Sequence, residues 1–156
     1  MTINNLKILL TKVTAKDEKL LFKWSNEKNA RMWSFNSAPI KLSDHKKWFK
    51  KNVRNKKIYM WKLKYRSSFC GLVRFRLKNK NIILSYQIIE KFRGRKLGEK
   101  MLRMAIKKLR KIKPRTRILA KSFTNNLASK KTLIGSGFKF TRKKNNVKTY
   151  INEAVR

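Results

Sequence analysis

The sequence predicts an α/β fold, with a mostly antiparallel central sheet flanked by helices and elements in the order βα-α-βββ-α-β-α-ββ. Two observations carry most of this. Between Lys57 and Ile89, three β-rich runs of alternating character follow one another across short basic or Asn-containing turns. Directly after them, Leu97, Met101, Leu102, Ala105, Ile106, Leu109 and Ile112 form a wide apolar stripe at the helical period.

The first element is "LKILLTKV", Leu6 to Val13, which is β-rich. In "TAKDEKLLFKWSNE" Asp17 and Glu18 occupy the first turn of a helix whose Leu20, Leu21 and Trp24 recur at helical spacing. "NARMWSFNSAPIK" is irregular. Ser43 is then a candidate N-cap for a short helix that ends near Asn55, carries Asp44 at its positive end and buries Trp48 and Phe49. "KIYMWKLKY", "SFCGLVRFRLK" and "NIILSYQII" form an antiparallel meander with turns at Arg66-Ser67 and Asn79-Lys80-Asn81. The amphipathic helix follows and Pro114 closes it. "RILAKSF" is a strand, "NNLASKKTLIGSG" a helix ended by glycines, and "FKFTRKK" with "VKTYINE" a last strand pair.

A chain of 156 residues with 41% hydrophobic content suits one domain, residues 1–156, with a real core. No apolar run approaches the roughly 18 residues that a membrane span needs, and the start of the chain lacks a signal-peptide pattern, so a cytoplasmic location is expected. The single cysteine, Cys70, excludes an internal disulfide and zinc sites of several cysteines. Its place in a strand suggests a buried, inert thiol. With one histidine and seven acids, no metal is expected. A formal charge of +37 attracts polyanions, which leaves nucleic acid open as a partner through charge alone. Scattered lysines with abundant Asn and Ile are equally what an AT-rich coding bias produces, and the oligomeric state, monomer or homodimer, is undetermined.

One stretch stands apart: "EKFRGRKLGEKML" places Arg93, Arg95, Lys96, Gly94 and Gly98 where the amphipathic helix begins. Glycines let the backbone turn tightly and let a ligand approach the main chain. Unpaired N–H groups and the positive end of the macrodipole then face outward together, an arrangement that suits a pyrophosphate.

This stretch, followed by a helix, a strand and "NNLASKKTLIGSGF", resembles the GNAT superfamily of acetyl-CoA-dependent N-acetyltransferases over essentially the whole chain. The resemblance implies a mixed sheet and acetyl-CoA as co-substrate. An R/Q-x-x-G-x-G/A loop that holds the coenzyme A pyrophosphate corresponds to Arg93, Gly94, Arg95, Lys96, Leu97 and Gly98, with Glu99 in the same turn. An N-x-x-S element corresponds to Asn126 and Ser129, ahead of Gly137 and Phe138. Lys96 replaces the first motif glycine and is accommodated if its φ is helical. The resemblance also implies that backbone groups of Gln87, Ile88 and Ile89, at the end of the fourth strand, hold pantetheine and polarise the thioester.

The segment "FKWSNEKNARMWSFNSAPIKLSDHKKWF" is similar to the nucleotide-sugar N-acetyltransferases of pseudaminic acid synthesis, which acetylate the 4-amino group of a UDP-linked aminodideoxysugar. The similarity rests on Trp24, Arg31, Trp33, Ser34, Phe35, Asn36, His45, Trp48 and Phe49. It implies an acceptor wall in which Trp33 or Phe35 stacks on a nucleobase, Asn36 reads its edge, and Arg31 meets a diphosphate.

Amine acetylation needs an unprotonated nucleophile, a donor to the oxyanion and a proton for the leaving thiolate. The general acid of many relatives is a tyrosine, whose position here is Leu133. Tyr86, on the fourth strand, is the candidate substitute. His45 is the candidate base and acceptor residue, since a helix N-terminus favours the neutral imidazole; the alternative is that it packs the helix start. Three functions remain open: acetylation of a UDP-amino-sugar, acetylation of a protein N-terminus or aminoacyl-tRNA, and an inactive basic nucleic-acid-binding module of the same fold.

Overall fold

The computed structural model describes residues 7–154. The strands are β1 (Ile8–Lys12), β2 (Ile58–Tyr65), β3 (Ser68–Lys78), β4 (Asn81–Ile88), β5 (Arg117–Phe123), β6 (Lys139–Lys144) and β7 (Val147–Asn152). The helices are α1 (Glu18–Ser25), α2 (Lys28–Met32), α3 (Leu42–Asn52), α4 (Leu97–Ile112) and α5 (Leu127–Gly135). Leu6, the expected start of the first strand, lies outside the described residues.

All strands join one sheet in the order β1-β2-β3-β4-β5-β7-β6. The expected meander is present: β2, β3 and β4 pair antiparallel in sequence, with Arg66 and Asn79 in left-handed turns. Only β4 and β5 run parallel, because α4 connects them as a crossover. The result is a mixed sheet of seven strands flanked by helices, the arrangement that the resemblance implies.

Alternation along each strand assigns the two faces. Ile82 and Leu84 of β4, with Val73 and Phe75 of β3 and Ile118 and Ala120 of β5, meet Met101, Leu102, Ala105 and Leu109 of α4 in the main core, and all are buried. Truncation of one such leucine to alanine costs about 2–5 kcal/mol. On the opposite face Val13, Leu21, Phe49 and Met60 form a second cluster under α1 and α3. Asp17 anchors that side. Its carboxylate accepts from the Thr14 N–H at 2.8 Å and from Lys62 Nζ at 2.7 Å, so it fixes the entry to α1 against β2 instead of lying in an exposed first turn.

Two local expectations are corrected. Part of the irregular segment is helical, since α2 spans Lys28–Met32; at five residues it is too short for a periodic signal. Ser43 is not an N-cap. The chain enters α3 two residues earlier, with extended Lys41 as cap and no side-chain cap bond, which puts Ser43 inside the first turn. Trp48 is only partly buried, while Phe49 is in the core.

Candidate functional site

The site begins where β4 and β5 part. Their parallel pairing covers Asn81↔Arg117, Ile82↔Ile118 and Ile83↔Leu119 and then ends, leaving the rest of β4 without a strand partner on that side. Hydrogen-bonding direction alternates along an antiparallel ladder. Ile89 N–H donates to the Cys70 carbonyl at 2.9 Å, so Ile89 and Gln87 turn their backbone groups toward β3. Of the three residues expected to offer backbone groups, only Ile88 therefore faces the gap, and Tyr86 joins it. The Ile88 carbonyl is engaged by Arg93 Nε at 2.9 Å, which leaves its N–H.

Gln87 serves the other face. Its Nε2 donates to the Trp24 carbonyl at 2.7 Å and to Glu27 Oε1 at 3.1 Å. Glu27 also accepts from Glu90 N–H and from Arg93 Nη2, each at 3.3 Å, and so ties the α1–α2 junction to the loop after β4. Sequence reasoning missed Glu27. As one of only seven acids it was the available signal.

The loop after β4 makes a 3₁₀ turn at Glu90–Phe92 and enters α4 through Gly94 at φ +77° and Lys96 at φ +57°. The condition of a helical φ at Lys96 is thus not met: the residue is left-handed, the conformation that glycine takes without penalty and that costs other residues about 1–2 kcal/mol. The first helical bond is Lys100 N–H to the Lys96 carbonyl at 3.2 Å. Among the described residues, the N–H groups of Gly94, Arg95, Lys96, Leu97, Gly98 and Glu99 have no acceptor. Only backbone groups of Leu97 and Glu99 are on offer, because the Leu97 side chain is buried and the Glu99 carboxylate meets Arg103 at 3.3 Å. Gly98 acts by close packing, not by a turn: a Cβ there would lie 3.2 Å from Thr132 Cγ2.

A phosphorylated group fits this cradle. A Cβ added at Gly94 would meet nothing within 4 Å, and Arg93 Nη1 is buried without a partner. Six free N–H groups beside two further cations, Arg95 and Lys96, supply donors and charge for a pyrophosphate.

Facing the cradle, Asn126 caps α5 by accepting the Ser129 N–H at 3.1 Å. Ser129 Oγ in turn lies 3.0 Å from the Tyr86 hydroxyl. Burial pushes the Tyr86 phenol above its ordinary value; bonds from Ser129 and Thr132 pull it down, and nearby Tyr150 raises it. The phenol stays protonated across the neutral range. Leu133, at the position of the relatives' tyrosine, is fully buried in the core. Cys70 is buried in β3 as expected, and burial pushes its thiol up to about 11. Among the described residues no group of three or more His, Cys, Asp or Glu is placed to hold a metal.

His45 packs the helix start, the alternative to a role as base. It is 3% exposed, its Nε2–H donates to the Glu18 carbonyl at 2.9 Å, and Phe22, Trp48 and Phe49 surround its ring. Because a carbonyl only accepts, that nitrogen carries a hydrogen and takes none from an amine. Arg31 is equally occupied: it donates to the carbonyls of Ser25, Asn36 and Ala38 and to Ser34 Oγ, so it fastens its own loop instead of meeting a diphosphate. Asn36 Oδ1 closes a local turn on the Ala38 N–H at 3.1 Å. Trp33 and Phe35 pack on Phe123, at ring separations of 6.4 and 5.0 Å, yet remain 36% and 62% exposed. Phe123 ends β5, so this aromatic wall borders the gap.

Residues 7–139 match the family of acetyltransferase (GNAT) domains. Solved structures share the fold. A domain from Methanocaldococcus jannaschii is 22% identical, with a TM-score of 0.82 over 94% of this chain and 98% of its own. Spermidine N-acetyltransferase from Vibrio cholerae, in complex with CoA and spermine, is 12% identical with a TM-score of 0.80, covering 94% of each chain. The microcin C7 self-immunity acetyltransferase MccE, in complex with acetyl-CoA and AMP, is 18% identical with a TM-score of 0.75, over 94% of this chain and 92% of its own. No curated protein sequence gives a significant match. With the match spanning most of its length, the chain belongs to the GNAT acetyltransferase family, whose activity is acetyl-CoA-dependent N-acetylation of amines.

Proposed function

We propose that the acceptor is a primary amine carried on an anionic molecule, the 4-amino group of a UDP-linked aminodideoxysugar, acetylated by direct attack in a ternary complex. The carrying observation is the exposed aromatic pair Trp33 and Phe35 against Phe123, within a chain of net charge +37. Such a field repels polycationic amines and draws in anionic ones. MccE, a similar fold, is seen with AMP, which is compatible with a nucleotide-bearing acceptor.

Acetyl-CoA supplies the acetyl group as a thioester. The N–H groups from Gly94 to Glu99 hold its pyrophosphate, with Arg95 and Lys96 adding charge. Ile88 N–H donates to the thioester oxygen as negative charge develops there. Tyr86 gives its proton to the departing sulfur and recovers one as the new amide nitrogen loses its excess proton to solvent. Trp33, Phe35 and Phe123 form the wall on which the acceptor ring lies. Use of acetyl-CoA as donor is compatible with a cytoplasmic location.

The test is an acceptor panel, followed by mass spectrometry, in which a UDP-4-amino-sugar competes with spermidine, a neutral amine and an N-terminal peptide. The proposal expects the nucleotide sugar to be acetylated fastest. Preferential acetylation of the peptide or of spermidine overturns it. Among the other readings, an RNA-bound acceptor is set apart by a steep fall in rate with salt.

A further inference from the structure

On the sheet face opposite α4, a concavity of about 410 Å³ lies between α3 and the middle of β3 and β4. Its charged lining is Lys47 and Lys51 from α3 and Arg74 and Arg76 from β3, with Trp48 and Ser85 beside them and no acid. Arg74 and Arg76 are two residues apart on one strand and so share one face. Like charges side by side on a sheet repel, and none of the ion pairs among the described residues engages these four. Arg74 is also held in place: its guanidinium lies 5.1 Å from the Trp48 ring and donates to Ser85 Oγ at 3.4 Å. Burial, and then the charge of Arg76, holds Arg74 below its ordinary value.

A coding bias explains lysines scattered over a solvated surface. It does not explain a half-buried arginine, Arg74, held against Trp48 of α3 beside exposed Arg76 in a concavity without a counter-charge. An anion there would remove the repulsion, and arginine presents a planar fork to phosphate oxygens. The concave form favours a compact anion over the extended backbone of RNA. Ser85 lies three residues before Ile88, about 10 Å along β4, so a group held here reaches the gap within one small molecule.

We propose that this basin binds the diphosphate of a nucleotide-linked acceptor, with Arg74 and Arg76 as the principal phosphate ligands and Lys47 and Lys51 as charge partners. The assignment rests on the acetyltransferase reading for its purpose, but its test does not need turnover.

UDP, and separately inorganic pyrophosphate, is titrated calorimetrically into protein already saturated with acetyl-CoA, at moderate salt, so that the α4 cradle is filled. Arg74→Gln is expected to weaken UDP at least about tenfold, as loss of a charged hydrogen bond does. The double substitution Lys47→Gln and Lys51→Gln, on exposed α3 positions, is expected to weaken it severalfold, and it keeps the test open if Arg74→Gln fails to fold. The control is Lys108→Gln with Lys111→Gln, exposed on α4 and equal in charge, expected to change UDP binding less than twofold. Pyrophosphate alone should follow the same order with lower affinity. Equal weakening by the control pair means non-specific attraction and overturns the proposal, as does absence of saturable UDP binding. If UDP binds as expected but no amine is acetylated, the basin stands and the acetyltransferase reading falls. If a neutral amine is acetylated but UDP does not bind, the reverse holds.

Discussion

The Tyr86 hydroxyl and Ser129 Oγ meet at 3.0 Å, joining the fourth strand to the N-terminal turn of α5 at the edge of the β4–β5 gap. Leu133, where the resemblance places a tyrosine, lies in the core, and a phenol arrives from the strand instead. Replacing Tyr86 with Phe should lower kcat about a hundredfold, with acetyl-CoA affinity changed less than twofold. Isothermal titration beside steady-state kinetics checks both.

The raised Tyr86 ionisation fixes the sign of two pH effects. Activity that needs the protonated phenol persists to a pH above the ordinary tyrosine range and then falls. Above the unfolded ionisation and below the folded one, the native state holds a proton that the unfolded chain has lost, so stability declines as pH rises through that window. In Tyr86→Phe this part of the alkaline decline should vanish from both the rate profile and the denaturation midpoint.

His45 joins α3 to the start of α1 through the Glu18 carbonyl. His45→Ala should cost about 1–3 kcal/mol of stability by leaving a buried carbonyl without its donor. At a temperature where the variant is folded, its kcat should stay within about twofold and its pH profile should not move. A profile that loses its acidic limb would reinstate His45 as a base.

Most of the element order was legible because strand alternation and the 3.6 period of α4 are strong local signals. The meander turns fell where Arg66 and Asn79 allow positive φ. What was not legible depended on which backbone carbonyls the fold brings up to a side chain. Arg31 has the composition of a phosphate ligand, yet three backbone carbonyls of its own loop claim it, and His45 looks free until the Glu18 carbonyl is placed beside it. Likewise the expected trio Gln87, Ile88 and Ile89 reduces to Ile88 because backbone direction alternates along a ladder whose register only the fold reveals. The motif loop is legible in its glycines and charge, while the left-handed φ of Lys96 is not, because that conformation belongs to the backbone and not to the residue.

Lys96 gives a stability test of that point. Lys96→Gly should raise stability by up to about 1 kcal/mol by relieving a left-handed side chain, and Lys96→Val should lower it, since β-branched residues tolerate positive φ poorly. Thermal denaturation of the three proteins provides the order.

Asp17 and Lys62 meet at 2.7 Å with side chains 10% and 9% exposed. Asp17→Asn should destabilise the protein by about 3–5 kcal/mol because it strands a buried ammonium. The loss should persist at high salt, unlike that of a surface pair. Chemical denaturation at two ionic strengths measures it.

The proposed function stands on specific binding of acetyl-CoA by the Gly94–Glu99 cradle. The most direct measurement is calorimetric titration of the protein with acetyl-CoA and with pantetheine lacking phosphates, at low and at moderate salt. One saturable acetyl-CoA site that survives moderate salt is expected, with a much weaker response to the phosphate-free compound. Acetyl-CoA binding that disappears with salt, or that RNA displaces as readily as the cofactor itself, would contradict it and leave a basic binding module on an acetyltransferase fold.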